Sequence, residues 1–252
     1  MKLTVIGCSG SFPGPESPAS CYLLEADHDG RPWRVLLDLG SGALGYLQRF
    51  IDPLTLDAVL ISHLHPDHYF DLSGLYVLWK YHPGGSRPRI PVWGPEGIGK
   101  QASRAYGLRK EPGMSAEFTF HEYDDQPVRL GPFVIRVQKV AHPIPAYGLR
   151  IEAGGAVLAY SGDTGPCQGL VDVATGADLL LAEAAFVEDE ENPLDLHLTG
   201  REAGAAAAQA RVRRLVLTHI PPWHDPQVTF AEARETYAGP LDLATTGATY
   251  TI

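Results

Sequence analysis

The sequence predicts an α/β fold in which two mixed β-sheets pack together with helices on the outside. Three observations carry this expectation. Short β-branched or apolar runs bounded by Gly, Pro and Asp recur along the whole chain. Helical stretches separate some of these runs but not others. Hairpins therefore alternate with strand–helix units, a mixture that a purely parallel doubly wound sheet would not produce.

In chain order, strands are expected at residues 3–6, 22–24 and 33–37, a helix at 43–50, a strand at 58–61, and helices at 69–81 and 97–106. Further strands follow at 133–140, 147–151, 156–160 and 179–182. A helix at 201–210 is introduced by Thr199, with Glu202 three residues on, the spacing of a capping box. A strand at 215–218 and a helix at 230–237 complete the series. The Pro/Gly-rich stretches 12–18 and 82–95 read as surface loops too short to separate independent halves, so one domain spanning residues 1–252 is expected.

Hydrophobic residues make up 44% of the 252, enough for a sizeable core, which excludes disorder and collagen-like repetition. Thirty acidic against twenty basic residues give a net charge of −10, which works against sequence-independent binding to long polyphosphate backbones. No secretory leader or membrane span is evident, and Cys8, Cys21 and Cys167 suit reduced, packed thiols better than a disulfide framework. A cytoplasmic location is expected.

The decisive segment is Ser62-His63-Leu64-His65-Pro66-Asp67-His68, which follows the apolar run 58–61. Four potential ligands ejected from the end of a buried strand into one turn can converge on a small volume, and imidazole with carboxylate suits borderline cations. More candidates wait at other strand ends: His142 after 133–140, Asp163 after 156–160 and His219 after 215–218. Singly, each reads as a hydrogen-bonded structural residue; five His and two Asp together point to metal.

With these residues in view, the chain resembles the metallo-β-lactamase superfamily, whose His-x-His-x-Asp-His signature stands at His63 to His68. The resemblance runs from Gly7-Cys8-Ser9-Gly10-Ser11 to the last strand. It implies a four-layer αβ/βα sandwich with two divalent metal ions at the rim of the sheets, zinc first, with manganese or iron as alternatives. His63, His65 and His142 would bind one metal, and Asp67, His68 and His219 the other. Asp163 would bridge them, and Asp67 counts among the catalytic residues as well. Asp38 matches the family's carboxylate that orients a ligand imidazole; the competing reading is an Asp capping the turn at Gly40.

Within the superfamily the ribonuclease Z-like branch is most similar. The matches are His142-Pro143-Ile144-Pro145-Ala146-Tyr147-Gly148-Leu149-Arg150, Glu183-Ala184-Ala185-Phe186, and His197-Leu198-Thr199-Gly200 before an Ala-rich helix. The resemblance implies that Glu183 and His197 pair beside the metals and that His197 protonates the leaving oxygen. The competing reading makes His197 a surface residue before a helix.

Two cations about 3.5 to 4 Å apart can hold a hydroxide and clamp both oxygens of a phosphodiester in displacement. An alkoxide leaves poorly, so a proton donor is needed, and a His held by a carboxylate can supply it. Ribonuclease Z enzymes grip transfer RNA with a mid-chain arm, and no long Lys-rich insertion lies between His68 and His142. The expected activity is therefore hydrolysis of a small phosphodiester, cyclic AMP first, as in compact bacterial members of the branch. Long nucleic acid and membrane are not expected partners; a homodimer is allowed for, since the branch often forms one.

Alternatives are transfer RNA 3′-end cleavage, hydrolysis of a thioester or lactone, and metal binding without catalysis. Redox chemistry is disfavoured because di-iron flavoproteins carry Glu where His65 stands. Glyoxalase-like thioesterases show Gly-His-Thr where this chain has Ala141-His142-Pro143. Tyr76, Trp79, Tyr81 and Trp223 are candidates to stack a base, although such residues more often pack the core or a loop. Arg211, Arg213 and Arg214 read first as helix C-terminal cations.

Overall fold

A computed structural model describes residues 1–85, 87–109, 111–188 and 191–252. The first sheet is built from β1 (Lys2–Gly7), β2 (Cys21–His28), β3 (Arg31–Leu37), β4 (Ala58–Leu60), β5 (Ile90–Gly94) and β6 (Phe118–Glu122). The second holds β7 (Val128–Leu130), β8 (Phe133–Lys139), β9 (Tyr147–Ala153), β10 (Ala156–Tyr160), β11 (Leu179–Glu183), β12 (Leu215–Thr218) and β13 (Leu241–Leu243). The last strand, β14 (Thr249–Thr251), returns to the first sheet, giving orders 14-1-2-3-4-5-6 and 13-12-11-10-9-8-7.

Each sheet is mixed, for a local reason. Asp29-Gly30 and Gly154-Gly155 all adopt positive φ, the backbone of a tight two-residue hairpin turn, so β2–β3 and β9–β10 pair antiparallel. The pairs β3–β4, β4–β5, β5–β6, β10–β11, β11–β12 and β12–β13 are parallel. Parallel neighbours end at the same sheet edge, and that edge receives the candidate site residues.

Period-2 alternation decides which way each side chain faces. Leu24, Val35, Leu37 and Leu60 meet Phe133, Ile135, Leu149, Ile151, Leu158 and Leu181 between the sheets. Their neighbours Leu23, Leu36 and Val59 face outward onto α1 (Ala43–Leu47), α2 (Pro66–Tyr69), α3 (Leu72–Tyr81) and α4 (Ile98–Ala105). Ala159, Leu180, Ala182 and Leu217 face α5 (Gln168–Ala174), α6 (Gly200–Gln209) and α7 (Pro226–Thr236). The result is the four-layer αβ/βα sandwich expected from the sequence.

Several boundaries differ from the sequence reading. Expected helix 69–81 is two helices, broken at Phe70 and Asp71; α1 ends at Leu47 rather than at 50, and α7 starts at Pro226, capped by Asp225, rather than at 230. Stretch 82–95 is not all loop, because Ile90 and Val92 bury their side chains in β5. Strands β6, β7, β13 and β14 and helix α5 went unread because they are short and lack an uninterrupted apolar run. No helix among the described residues is long and apolar enough to cross a membrane, and the three cysteines are free.

The capping box at Thr199 and Glu202 is formed. The Ala-rich α6 is more than a good helix former: a Cβ on Gly204 would lie 2.3 Å from Thr236 Oγ1 and 2.5 Å from the Ala233 carbonyl of α7. Small residues let the two helices approach. Gly204→Val is expected to lower the unfolding free energy by about 1–3 kcal/mol in urea titrations, whereas Ala205→Val, at an exposed position, is expected to shift it by less than about 0.5 kcal/mol.

Candidate metal centre

Strand ends deliver most of the candidate side chains to one rim, and His197 joins them from the loop before α6. His63, His65, Asp67 and His68 lie on the turn after β4 and on α2; His142 follows β8, Asp163 follows β10, Glu183 ends β11 and His219 follows β12. The chain must turn sharply there, and Asp38 and His219 adopt φ 58. Such backbone strain in non-glycine residues persists only where surrounding contacts fix it.

Potential ligand atoms fall into three groups, each within 4.8 Å internally: His63, His65 and His142; Asp67, His68, Asp163 and His219; and Asp163, Glu183 and His197. Asp163 lies between the first two. Its Oδ2 is 3.6 Å from His63 Nε2 and 3.2 Å from His219 Nε2, and its Oδ1 is 3.3 Å from His68 Nε2.

Hydrogen bonds on the far side of each ring decide which nitrogen faces inward. Asp38 Oδ2 accepts from His68 Nδ1 at 2.7 Å, from Ser62 Oγ at 2.8 Å and from Tyr160 Oη at 2.6 Å, while its Oδ1 accepts from the Ser62 amide at 2.7 Å. Because Ser62 Oγ gives its proton to Asp38, it accepts from His63 Nδ1 at 3.1 Å. His142 Nδ1 donates to the Leu196 carbonyl at 2.9 Å, and His219 Nδ1 pairs with Ser20 Oγ at 2.8 Å. Four imidazoles are thereby oriented with Nε2 toward the centre. His65 is the exception: its Nδ1 lies 3.1 Å from Nε2 of both His63 and His142.

The electrostatics fit a cation. Burial pushes His63, His65, His142 and His219 below the usual imidazole range, toward the neutral form that ligates metal. Burial opposes charge on Asp163 too, yet the His219, His68 and His63 imidazoles hold its carboxyl well below the ordinary range. His68 goes the other way: against burial, Asp163, Asp38 and Asp67 raise it well above an ordinary histidine. Three carboxylates around one imidazole call for positive charge, which a metal supplies as well as a proton does. His68 Nε2, His219 Nε2 and Asp163 Oδ1 are buried with no hydrogen-bond partner. Orphaned polar atoms of this kind, converging from three strand ends, suit a metal ligand set.

Beside this cluster, His197 Nδ1 lies 2.9 Å from Glu183 Oε1. Glu183 is fully buried and held by the Thr164 and Ala185 amides, each at 3.0 Å. Burial disfavours charge on His197, but Glu183, with Asp163 beyond it, carries its pKa up to about 9. Phe186 packs against the ring edge-to-face at 5.0 Å.

Asp38 thus holds the His68 imidazole, while the Gly40 amide donates to the Ser20 carbonyl and not to Asp38. Of the aromatic candidates, Tyr76 and Trp79 are core residues, whereas Tyr81 and Trp223 are exposed. Arg213 and Arg214 pair with Asp178 and Asp242. The sequence reading missed Ser20, Ser62, Tyr160 and the Leu196 carbonyl. Ser62 adjoins the signature and could have been suspected; Ser20 and Tyr160 lie 199 and 122 residues from the groups they contact, so no local pattern marks them.

A sequence profile described as Beta-lactamase superfamily domain matches residues 33–220. The Mycobacterium tuberculosis protein Rv1339, itself uncharacterized, is 44% identical over 256 residues, covering all of this chain and 92% of its own length. The probable metallo-hydrolase YhfI of Bacillus subtilis is 30% identical over 98% of both chains; its crystal structure superposes with a TM-score of 0.87 over 99% of each. Ribonuclease Z of Myxococcus xanthus is 30% identical over 99% of this chain and 97% of its own, in an alignment of 305 positions.

Asp38→Ala is expected to lower metal affinity by about 10- to 100-fold in a chelator competition, because it frees the His68 ring and the Ser62 hydroxyl together. Unchanged affinity would mean that the rings are held by packing alone.

Proposed function

The chain belongs to the metallo-β-lactamase superfamily, and on that premise we propose that it is a divalent-metal-dependent phosphodiesterase acting on a small phosphodiester, cyclic AMP first, in the cytoplasm. His63, His65 and His142 would hold one ion and Asp67, His68 and His219 a second, with Asp163 shared; zinc suits the imidazole-rich set best. Bound there, such ions supply Lewis-acid charge to a phosphoryl group and lower the pKa of a water nucleophile.

The observation that carries the reading is the Glu183–His197 pair. Both Glu183 oxygens accept backbone N–H groups, so its carboxylate is fixed as an acceptor and His197 Nδ1 must donate to it. The positive form, favoured by Glu183 and Asp163, then has a proton at Nε2 to give to a departing oxygen. Glu183 keeps the ring aligned and balances its charge, as a paired carboxylate does for other catalytic histidines. An alkoxide leaving from phosphorus needs that proton; acyl hydrolysis makes no such clear demand for the pair.

The 30% identity to Ribonuclease Z favours a second reading, cleavage at a transfer RNA 3′ end. Against it, that alignment is dozens of positions longer than this 252-residue chain, and the charge of −10 repels a polyanion.

Loaded with zinc or manganese and assayed at one ionic strength, the protein is expected to open cyclic AMP to a nucleoside monophosphate and to leave precursor transfer RNA intact. Accurate 3′-end cleavage with the higher kcat/KM would reverse the ranking. His197→Ala is expected to retain metal and to lose about 10²- to 10⁴-fold in kcat on cyclic AMP, and far less on bis-nitrophenyl phosphate, whose nitrophenolate leaves unaided. Equal losses on both substrates would assign His197 to positioning.

A further inference from the structure

Phe12 and Trp223 form an aromatic pair whose rings are both largely exposed, Trp223 by 60% and Phe12 by 45%. Their centroids are 5.3 Å apart with planes tilted by 36°. The rings touch each other, so no third ring fits between them; the indole also meets the His224 ring edge-to-face at 5.9 Å, and more than half of Trp223 stays exposed.

Both residues are anchored at the rim of the metal centre. The Gly10 amide donates to the Ile220 carbonyl at 3.2 Å and the His219 amide to the Cys8 carbonyl at 3.0 Å. A Cβ on Gly10 would lie 2.2 Å from the His219 carbonyl, so only glycine allows the loop before Phe12 to come this close. Ser9 Oγ then donates to the Phe12 carbonyl at 2.7 Å, and Ser11 takes φ 63.

On the other side, the His224 amide bonds the Pro221 carbonyl at 3.0 Å, closing a turn with Pro222 and Trp223 at its centre. Proline at the second position stiffens such a turn. The indole is therefore displayed four residues beyond His219 on backbone that loses little freedom when a ligand binds. Ser11, next to Phe12, and His219, four residues before Trp223, both take positive φ.

We propose that Trp223, backed by Phe12, is the platform on which the nucleobase of a nucleotide phosphodiester stacks, and so is the residue that sets preference for nucleotides over baseless phosphodiesters. This rests on the phosphodiesterase reading above. Stacking is tolerant of base identity because every base presents a π-face. The site would therefore select nucleotides as a class and discriminate weakly among them.

The test compares cyclic AMP with the cyclic phosphate of a ribose lacking its base, using the metal-loaded full chain. The wild type is expected to favour cyclic AMP, and the ratio of the two kcat/KM values is expected to fall by about 5- to 150-fold in Trp223→Ala. Trp223→Phe should fall less, and Phe12→Ala should fall in the same direction. Wild-type indifference to the base, or an equal loss on both substrates in Trp223→Ala, would overturn the proposal. So would a Trp223→Ala variant whose effect in sedimentation is to dissociate a dimer, since the rings would then serve a second copy of the chain. If neither compound is turned over, the phosphodiesterase reading fails, and indole fluorescence decides the platform by itself. A saturable quench by 5′-AMP, absent with ribose 5-phosphate and lost in Trp223→Phe, supports it; no quench refutes it.

Discussion

Asp163 is placed where the two histidine groups meet, with one oxygen 3.2 Å from His219 Nε2 and 3.6 Å from His63 Nε2, and the other 3.3 Å from His68 Nε2. A carboxylate buried among three imidazoles is stable only if its charge is met. The rim is arranged to meet it. Strands from both halves of the sandwich end at the same edge and bring to it four rings whose far nitrogens are tied down, those of His63, His68, His142 and His219. Asp38 does most of the tying, since its four hydrogen bonds fix His68 directly, His63 through Ser62, and Tyr160 between the sheets.

That arrangement separates two kinds of acidic group. Asp163 and Asp67 face the centre, where their oxygens lie among the His63, His68 and His219 imidazoles. Asp38 and Glu183 spend their oxygens on protein donors, so that each fixes the orientation of a histidine, His68 and His197. The chemistry proposed for His197 follows from this division: its carboxylate partner accepts from two backbone amides and from the His197 ring.

Much of this was legible in the chain before folding. His63 to His68 after an apolar strand, and His142, Asp163 and His219 each just past another, mark one sheet edge, because a strand that is apolar to its end and then polar must end at solvent or at a site. The central strands were readable for the same reason. What the sequence hid was short or distant. Strands β13 and β14 have three residues each, β5 is interrupted by proline, and α7 begins a turn before its apolar face. Ser20 and Tyr160 act across the fold, and the Leu196 carbonyl has no side-chain signature. Trp223 was visible as an aromatic candidate for stacking, but its exposure and its pairing with Phe12 depend on two loops meeting at His219.

The central claim is that Asp163 is shared by two metal sites. Manganese-loaded protein examined by elemental analysis and electron paramagnetic resonance tests it directly. The account predicts two equivalents bound and a spectrum of exchange-coupled ions, with both the coupling and at least one equivalent lost in Asp163→Ala. A single equivalent, or two ions that give the spectrum of isolated manganese, would contradict it.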